Sequence, residues 1–292
     1  MRYVIALLVA TLFTPAVRAD EKTFDSNGVK IAYLDEGKGE AVVLLHGFGA
    51  SAAEMWTHLP LVRTQFLPVL AKDYRVIAPD FRGHGKSDKP HDPKKYGAEM
   101  AEDVVRLLDH LKIKKAHVVG YSMGAIVAGK LLVTHPDRLL SVTFGGGAPL
   151  FQPPKEYETV TAATVESLEK EKGMGPLIIA LTPDGEAKPT AEQADAFSAL
   201  FLNGKDQKAL AAVLRGARSW EVSEAELKAN KVPVRFVYGS RESKFLMDII
   251  AASRKVLPKA DAVVIEKGDH GTTFIAPEFR KAVLEFLKAN KE

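Results

Sequence analysis

The stretch Ala116-His117-Val118-Val119-Gly120-Tyr121-Ser122-Met123-Gly124 decides the fold of this 292-residue chain. It begins as a short apolar strand pattern, and a helical pattern follows from Met123 to Thr134. Between the two stands G-x-S-x-G, in which the glycines leave room for a very tight turn around Ser122. Such a turn holds the serine hydroxyl at the carboxyl edge of a sheet, beside a helix N-terminus that favours developing negative charge. The pattern therefore predicts that Ser122 is a nucleophile.

Strand and helix patterns alternate along most of the chain. Residues 29–33 alternate as a half-exposed strand does, whereas the other strand patterns are short and apolar throughout: 41–45, 75–78, 116–119, 139–144, 233–238 and 262–265. Helical patterns lie at 98–111, 123–134, 244–256 and 277–289. Strands that are apolar on both faces are typical of a parallel sheet covered by helices on both sides. The sequence thus predicts an α/β fold with a doubly wound, mostly parallel sheet.

Residues 149–231 depart from this alternation. They show no clear strand, but they contain helical patterns at 160–171, 191–202 and 207–217, separated by hinges rich in Pro and Gly. The segment is too long for a loop within a compact domain. We predict a helical cap at 149–231, inserted into a core domain that consists of 20–148 and 232–292.

The N-terminus has the layout of a secretory signal peptide. Arg2 gives a positive start, residues 3–13 are apolar, and Val17-Arg18-Ala19 is a small-residue exit. An apolar run of about 11 residues is too short to cross a bilayer of ~30 Å, which argues against a membrane anchor. We predict that residues 1–19 are cleaved off and that the protein is secreted or periplasmic, without a stable membrane anchor.

Charge and composition exclude several classes of function. Removal of residues 1–19 takes Arg2 and Arg18 from the 40 Lys and Arg and nothing from the 37 Asp and Glu, which leaves a net charge of +1. This balance gives no electrostatic basis for binding nucleic acid. The absence of cysteine excludes disulfides, thiolate metal ligands and a cysteine nucleophile. We predict no metal site, because neither H-E-x-x-H, H-x-H nor a cluster of carboxylates occurs.

A serine nucleophile needs a base, and His270 is the predicted one. It follows the last strand pattern, and loops at the carboxyl ends of parallel strands gather at one edge of the sheet. His46 also follows a strand pattern, but it lies within His-Gly-Phe-Gly, a segment that is predicted below to supply an oxyanion donor instead. His117 lies within a buried strand and is predicted to be a core residue.

The acid that orients the base is predicted to be Glu242. It follows the strand pattern 233–238, and it gives the chain order Ser–acid–His. Two competing acids remain. Asp248 falls inside the next predicted helix. Asp269 is adjacent to His270 in sequence, and the side chains of neighbouring residues usually point in different directions. The alternative for Glu242 is a solvated surface carboxylate.

Two backbone N–H groups are predicted to form an oxyanion hole. Met123 follows the nucleophile, and Phe48 lies in the loop after the strand 41–45. Their side chains are expected to line the acyl pocket. The glycine-rich segment 80–87 is predicted to be a constrained turn whose side chains bond the backbone around the site.

Five motifs, in this order, carry a resemblance to a known family: His46-Gly47-Phe48-Gly49, Asp80-Phe81-Arg82-Gly83-His84-Gly85-Lys86-Ser87, Gly120-Tyr121-Ser122-Met123-Gly124, Gly239-Ser240-Arg241-Glu242 and Gly268-Asp269-His270. The chain resembles the α/β-hydrolase superfamily over nearly all of residues 24–290. The resemblance implies eight strands and a cap inserted after the sixth. Related haloalkane dehalogenases and epoxide hydrolases place Asp where Ser122 stands, and Glu242 departs from the family's usual Asp.

Together these features predict an exported serine hydrolase. It would cleave a small-molecule carboxylic ester or related acyl compound through Ser122, His270 and Glu242, without cofactor or metal. Carbon–carbon bond hydrolase, acyltransferase and perhydrolase activities on the same residues stay open, as do a non-catalytic binding protein and a peptidase. The sequence leaves substrate identity, acyl length and oligomeric state undetermined.

Overall fold

The computed structural model describes residues 21–57, 66–257 and 259–292, so the predicted signal peptide, 1–19, lies outside the described residues. A single eight-stranded sheet organises them. Its strands are β1 (Glu21–Asp25), β2 (Lys30–Gly37), β3 (Ala41–Leu45), β4 (Arg75–Pro79), β5 (Ala116–Tyr121), β6 (Leu139–Gly145), β7 (Val234–Gly239) and β8 (Asp261–Ile265).

The order of the strands across the sheet is β1-β2-β4-β3-β5-β6-β7-β8. β2 is antiparallel to both β1 and β4, and every other neighbouring pair is parallel. β3 and β5 lie at the centre, and all their residues are buried. The prediction of an α/β fold with a doubly wound, mostly parallel, eight-stranded sheet is confirmed.

The described helices cover both faces of this sheet. They are α1 (Ala52–Trp56), α2 (Phe66–Leu70), α3 (Glu99–His110), α4 (Met123–Thr134), α5 (Lys155–Glu169), α6 (Gly175–Leu181), α7 (Ala191–Phe201), α8 (Gln207–Gly216), α9 (Glu224–Lys228), α10 (Lys244–Val256) and α11 (Pro277–Ala289). α3, α4 and α10 share one hydrophobic cluster with the sheet, and α1, α2 and α11 share another. The sheet therefore lies between two packed layers of helix.

Several short elements did not show in the sequence pattern. α1, α2 and α9 have five residues each and α6 has seven, which is too short to display helical periodicity. β1 pairs with β2 along its length, and its Phe24 side chain is buried in the core. β8 lies at the edge of the sheet, so Val264 is 49% exposed although its strand was predicted to be buried on both faces.

Five helices, α5 to α9, lie between β6 and β7, in the segment predicted to form the cap. Val165 and Leu168 of α5 and Leu210 of α8 form a small hydrophobic cluster there, and Phe48 from the loop after β3 packs against it. The loop that carries one predicted oxyanion donor thus contacts this segment. In the described part of the chain, no helix has both the length and the apolarity that a membrane span requires.

The segment 80–87 is the constrained turn that the sequence predicts. The Asp80 carboxylate accepts hydrogen bonds from the N–H groups of Ala52 (2.7 Å) and Lys86 (2.8 Å). Arg82 forms a buried bidentate pair with Asp103, at 2.7 Å from Nε and 2.6 Å from Nη2. These side chains join the turn to α1 and α3, and they stabilise the loops around the edge where Ser122 lies.

Candidate active site

The turn between β5 and α4 holds Ser122 in a strained backbone conformation. Its φ is 54° and its ψ is −118°, a region that few residues other than glycine adopt. A Cβ on Gly124 would lie 2.2 Å from the Leu45 carbonyl oxygen, and one on Gly120 would lie 2.2 Å from the Gly124 oxygen. Both glycines are therefore required, because the start of α4 touches the backbone of the neighbouring strands.

The strained turn directs the Ser122 hydroxyl toward His270. His270 Nε2 lies 3.0 Å from Ser122 Oγ. The loop that carries His270 follows β8, and Tyr121 holds it: the Tyr121 hydroxyl donates to the His270 carbonyl at 2.7 Å. Burial raises the pKa of Tyr121 well above its usual value, so the hydroxyl remains a donor. Sequence reasoning missed this role, because Tyr121 occupies a variable position of G-x-S-x-G.

Backbone contacts bring the loop after β7 against the loop after β8. The Arg241 N–H donates to the Gly268 carbonyl at 2.8 Å, and the Lys267 N–H donates to Ser240 Oγ at 2.8 Å. A Cβ on Gly239 would lie 2.1 Å from the Gly268 oxygen. Because of this close approach, the side chain of Glu242 lies on the opposite side of the His270 ring from Ser122.

The Glu242 carboxylate lies beside the second nitrogen of His270. Oε2 is 3.3 Å from Nδ1, and the Glu242 side chain is fully buried. Within the described residues its Oε1 has no hydrogen-bond partner. A buried carboxyl oxygen in this position favours the tautomer of His270 with a proton on Nδ1.

The two competing acids lie elsewhere. Asp248 pairs with Lys244 on the exposed side of α10. Asp269 accepts hydrogen bonds from the N–H groups of Gly271 (3.0 Å) and Thr272 (2.8 Å), which closes a local turn. Of the three acids that the sequence offered, the structure brings only Glu242 to His270.

The two predicted oxyanion donors flank the serine. Met123 is the first residue of α4, and Phe48 lies in the loop whose Gly47 would place a Cβ 3.5 Å from Ser122 Cβ. Across the described ranges, neither N–H forms a hydrogen bond with another backbone group. Both donors are therefore available to an oxygen atom bound next to Ser122.

His46 fixes the loop that carries Phe48. Its Nε2 accepts a hydrogen bond from the Phe81 N–H at 3.0 Å, so Nδ1 carries the proton and donates to the Gly47 carbonyl at 2.8 Å. The centre of the His84 ring lies 5.1 Å from the centre of the His46 ring and 5.7 Å from the centre of the Phe48 ring. Burial lowers the pKa of both histidines, which keeps them neutral in the folded protein.

His117 is a core residue, as predicted. Its Nδ1 lies 2.7 Å from Ser141 Oγ, and its Nε2 lies 2.7 Å from Glu40 Oε1. No group of three or more His, Asp or Glu side chains that could hold a metal ion occurs among residues 21–57, 66–257 and 259–292.

Two cavities meet at Ser122. The inner chamber has a volume of about 80 Å³, and its walls include Met123, Ile126, Tyr157, Trp220 and Leu246. The outer chamber has a volume of about 490 Å³ and opens to solvent; its walls include Tyr121, Ile178, Phe197, Phe201 and His270. Four residues line both chambers: Phe48, Ser122, Leu177 and Leu181. Helix α5, which supplies Tyr157 to the inner chamber, carried no sequence signal for such a role.

Comparison with known proteins places this arrangement in context. A sequence profile of the alpha/beta hydrolase fold matches residues 40–277. "Epoxide hydrolase 3" of Siraitia grosvenorii is 40% identical over 128 residues, which is 42% of this chain and 38% of that relative. The chain spans about two-fifths of the length of the curated relatives that it matches.

Two solved structures share the fold over nearly the whole chain. A 2-hydroxy-6-oxo-6-phenylhexa-2,4-dienoate hydrolase from Rhodococcus sp. strain RHA1 is 26% identical with a TM-score of 0.69, covering 94% of this chain and 100% of that one. A thermophilic esterase from Thermogutta terrifontis has a TM-score of 0.74 at 23% identity, covering 94% of this chain and 100% of that one.

The close contact at Gly124 predicts the effect of a single methyl group. Gly124→Ala would place that methyl against the Leu45 carbonyl, and we expect the free energy of unfolding in urea to fall by about 1–3 kcal/mol or more. Gly271→Ala is the control, because its nearest atom would be 3.6 Å away, and it should retain wild-type stability. Equal stability of the two variants would contradict the packing argument.

The buried histidines predict a pH dependence of stability. His46 and His84 bind protons near pH 6.5 in the unfolded chain but only at lower pH in the folded protein. The free energy of unfolding should therefore be largest above pH ~6.5 and should fall below it, by up to about 1.4 kcal/mol per pH unit for each histidine. Urea unfolding between pH 8 and pH 5 measures this slope, and His84→Phe should reduce it. Histidine NMR signals that show both rings titrating near pH 6.5 in the folded protein would refute the explanation.

Proposed function

The chain belongs to the alpha/beta hydrolase fold family, and on this premise we propose that it is a serine hydrolase that cleaves carboxylic esters of small molecules. One observation carries the proposal: Ser122 Oγ, the two nitrogens of His270 and Glu242 Oε2 form a continuous line, with gaps of 3.0 Å and 3.3 Å. A hydroxyl, a base and a buried acid in this relation are the elements of acyl transfer through a serine.

In the first half of the reaction, His270 Nε2 takes the proton of Ser122 as Oγ attacks the ester carbonyl carbon. The carbonyl oxygen becomes negatively charged, and the N–H groups of Phe48 and Met123 donate hydrogen bonds to it. His270 then gives its proton to the alcohol oxygen, and the carbon–oxygen bond to the alcohol breaks. The products of this half are the free alcohol and an ester of Ser122.

Water completes the second half. His270 takes a proton from water, whose oxygen attacks the acyl-enzyme, and the same N–H groups hold the second oxyanion. His270 returns the proton to Ser122 Oγ as the acyl–serine bond breaks and the carboxylic acid leaves. Throughout, the Glu242 carboxylate stabilises the imidazolium and holds the ring in one orientation.

The nucleophile argues against epoxide hydrolysis, although a relative of 40% identity bears that name. Attack of Ser122 Oγ on an epoxide carbon would form an ether, which water does not cleave in a second step. A carboxylate at the same position would form an ester, which water does cleave. Ester hydrolysis therefore fits Ser122 better.

Carbon–carbon bond hydrolysis is the second candidate. The structure of an enzyme with a name of that class is 26% identical over 94% of this chain, and a serine, a histidine and an oxyanion hole could also act on a ketone. Hydrolysis of vinylogous 1,5-diketones at rates above those for simple esters would favour this candidate. An acyltransferase would instead require an added alcohol acceptor to compete with water.

We also propose that the protein is exported and that residues 149–231 act as a cap. The first proposal rests on the signal-peptide pattern of residues 1–19. It is tested by expression in a Gram-negative host, followed by N-terminal sequencing of the periplasmic fraction. A mature chain that starts at Asp20 would support it, and a cytoplasmic chain that retains Met1 would refute it.

Ser122→Ala tests the nucleophile. We expect kcat for 1-naphthyl butyrate to fall by about 10⁶-fold, because the acyl-enzyme can no longer form. A fluorophosphonate probe should label the wild-type protein on Ser122 only, as mapped by mass spectrometry, and should not label the variant. Turnover within about tenfold of wild type would remove Ser122 from the mechanism.

Glu242→Gln tests the acid against its competitors. The amide keeps the shape of the side chain but cannot stabilise the imidazolium, so kcat should fall by about 10⁴-fold. Asp248→Asn is the matched control, since Asp248 pairs with Lys244 on the surface, and its kcat should remain that of the wild type. A loss in Asp248→Asn instead of Glu242→Gln would reverse the assignment.

A further inference from the structure

Ser122 stands between two chambers that differ sixfold in volume, about 80 Å³ for the inner and about 490 Å³ for the outer. An ester has two halves, and both are joined to the carbonyl carbon that Ser122 attacks. The position of the other reacting groups decides which half enters which chamber.

Proton transfer assigns the alcohol to the outer chamber. The alcohol oxygen must receive its proton from His270 Nε2, and His270 lines the outer chamber but not the inner one. Met123, the oxyanion donor next to the serine, lines only the inner chamber. The acyl chain therefore extends away from His270, past Met123 and into the inner chamber.

The volume of the inner chamber limits the acyl chain. A cavity of about 150 Å³ in a protein core binds one benzene molecule, which corresponds to roughly 25 Å³ for each carbon atom. On that scale the inner chamber of about 80 Å³ holds about three carbon atoms beyond the carbonyl. The outer chamber, by the same measure, has room for an alcohol several times larger.

The chemistry of the inner wall limits the acyl group further. Among the described residues that line this chamber, none has the side chain of an acid, a lysine, an arginine or a histidine. Among its hydroxyls, Thr164 Oγ1 already donates to the Val160 carbonyl at 2.7 Å. A carboxylate on the acyl chain would lose its hydration here without gaining a cationic partner.

The outer wall does carry carboxylates, but each has a partner. Glu54 accepts a hydrogen bond from Lys205 at 3.0 Å, and Glu186 is paired with Arg241. Asp269, the third carboxylate, accepts hydrogen bonds from the N–H groups of Gly271 and Thr272. The remaining surface of this chamber is dominated by apolar side chains such as Ile178 and Phe197. An uncharged, mainly apolar alcohol suits it best.

We propose that the substrates are esters of short, uncharged, apolar acids, up to about four carbons, with bulky apolar alcohols. This inference rests on the proposed ester hydrolysis and adds to it which half of the substrate each chamber selects. Chain length on the acid side is then limited by the inner wall, and the alcohol is selected at the outer one.

The test is a two-dimensional ester panel with the purified full-length mature protein. The acid series is 1-naphthyl acetate, butyrate and octanoate. The alcohol series is methyl and 1-naphthylmethyl butyrate, whose alcohols have similar acidity as leaving groups. We expect kcat/KM to fall by about tenfold or more from butyrate to octanoate, and 1-naphthylmethyl butyrate to exceed methyl butyrate by a similar factor.

Variants assign each preference to its chamber. Leu246→Ala and Ile126→Ala enlarge the inner wall at separate helices, and each should raise the octanoate-to-butyrate ratio about tenfold. Phe197→Ala at the outer wall should lower the preference for the naphthylmethyl alcohol without changing the acid series. Val264→Ala, on the exposed edge of β8, is the neutral control. Circular dichroism checks that each variant is folded. The two inner variants lie on different helices, so each gives a separate measurement of how the inner wall limits the acid.

Two results would overturn the inference alone, and a third would overturn the proposed function as well. Equal rates for butyrate and octanoate would show that the inner chamber does not limit the acid. A change of the acid series in Phe197→Ala, but not in Leu246→Ala or Ile126→Ala, would reverse the two chambers. No hydrolysis of any ester by the folded wild-type protein would overturn the proposed function and this inference with it.

Discussion

The contact between the start of α4 and the backbone of the neighbouring strands determines the geometry of the whole site. Gly124 packs directly on the Leu45 carbonyl, and Gly120 packs on Gly124. This packing forces Ser122 into a left-handed backbone conformation, because no relaxed turn can connect a strand and a helix that lie so close. It also places the N–H of Met123 next to the loop after β3. The positions of Ser122 and of the candidate oxyanion donors therefore depend on one steric constraint.

The same turn positions His270. Tyr121 precedes Ser122 in sequence, and its hydroxyl donates a hydrogen bond to the carbonyl of His270, so one short segment orients both Ser122 and His270. The acid reaches the ring by a second close approach, between Gly239 and Gly268 at the ends of β7 and β8. Two glycine contacts, one on each side of the histidine, thus align hydroxyl, imidazole and carboxylate. The Glu242 side chain that results is buried, and within the described residues one of its oxygens has no hydrogen-bond partner, which is costly in the folded protein.

The loop after β3 links the catalytic edge to the helices between β6 and β7. The backbone of Phe48 offers a hydrogen-bond donor to the site, whereas its side chain packs against the cluster around Leu168. Lys205, from the same helical segment, donates to the Gly49 carbonyl at 2.7 Å. The oxyanion loop is therefore held from both sides, by His46 in the core and by Lys205 above it. Phe48 also lines both chambers, so this loop contacts the two cavities as well as the helical segment.

The sequence by itself determined the fold class and the positions of Ser122 and His270. Apolar strands with glycine-rich ends are local patterns, and a parallel sheet brings all such ends to one edge. It left three acids as candidates and did not reveal short helices, since five to seven residues carry too little periodicity. Only the tertiary structure decided that Glu242 lies beside His270 and that α5 closes an inner chamber. Both depend on the approach of segments distant in sequence, which is set by packing and backbone hydrogen bonds that no local pattern encodes.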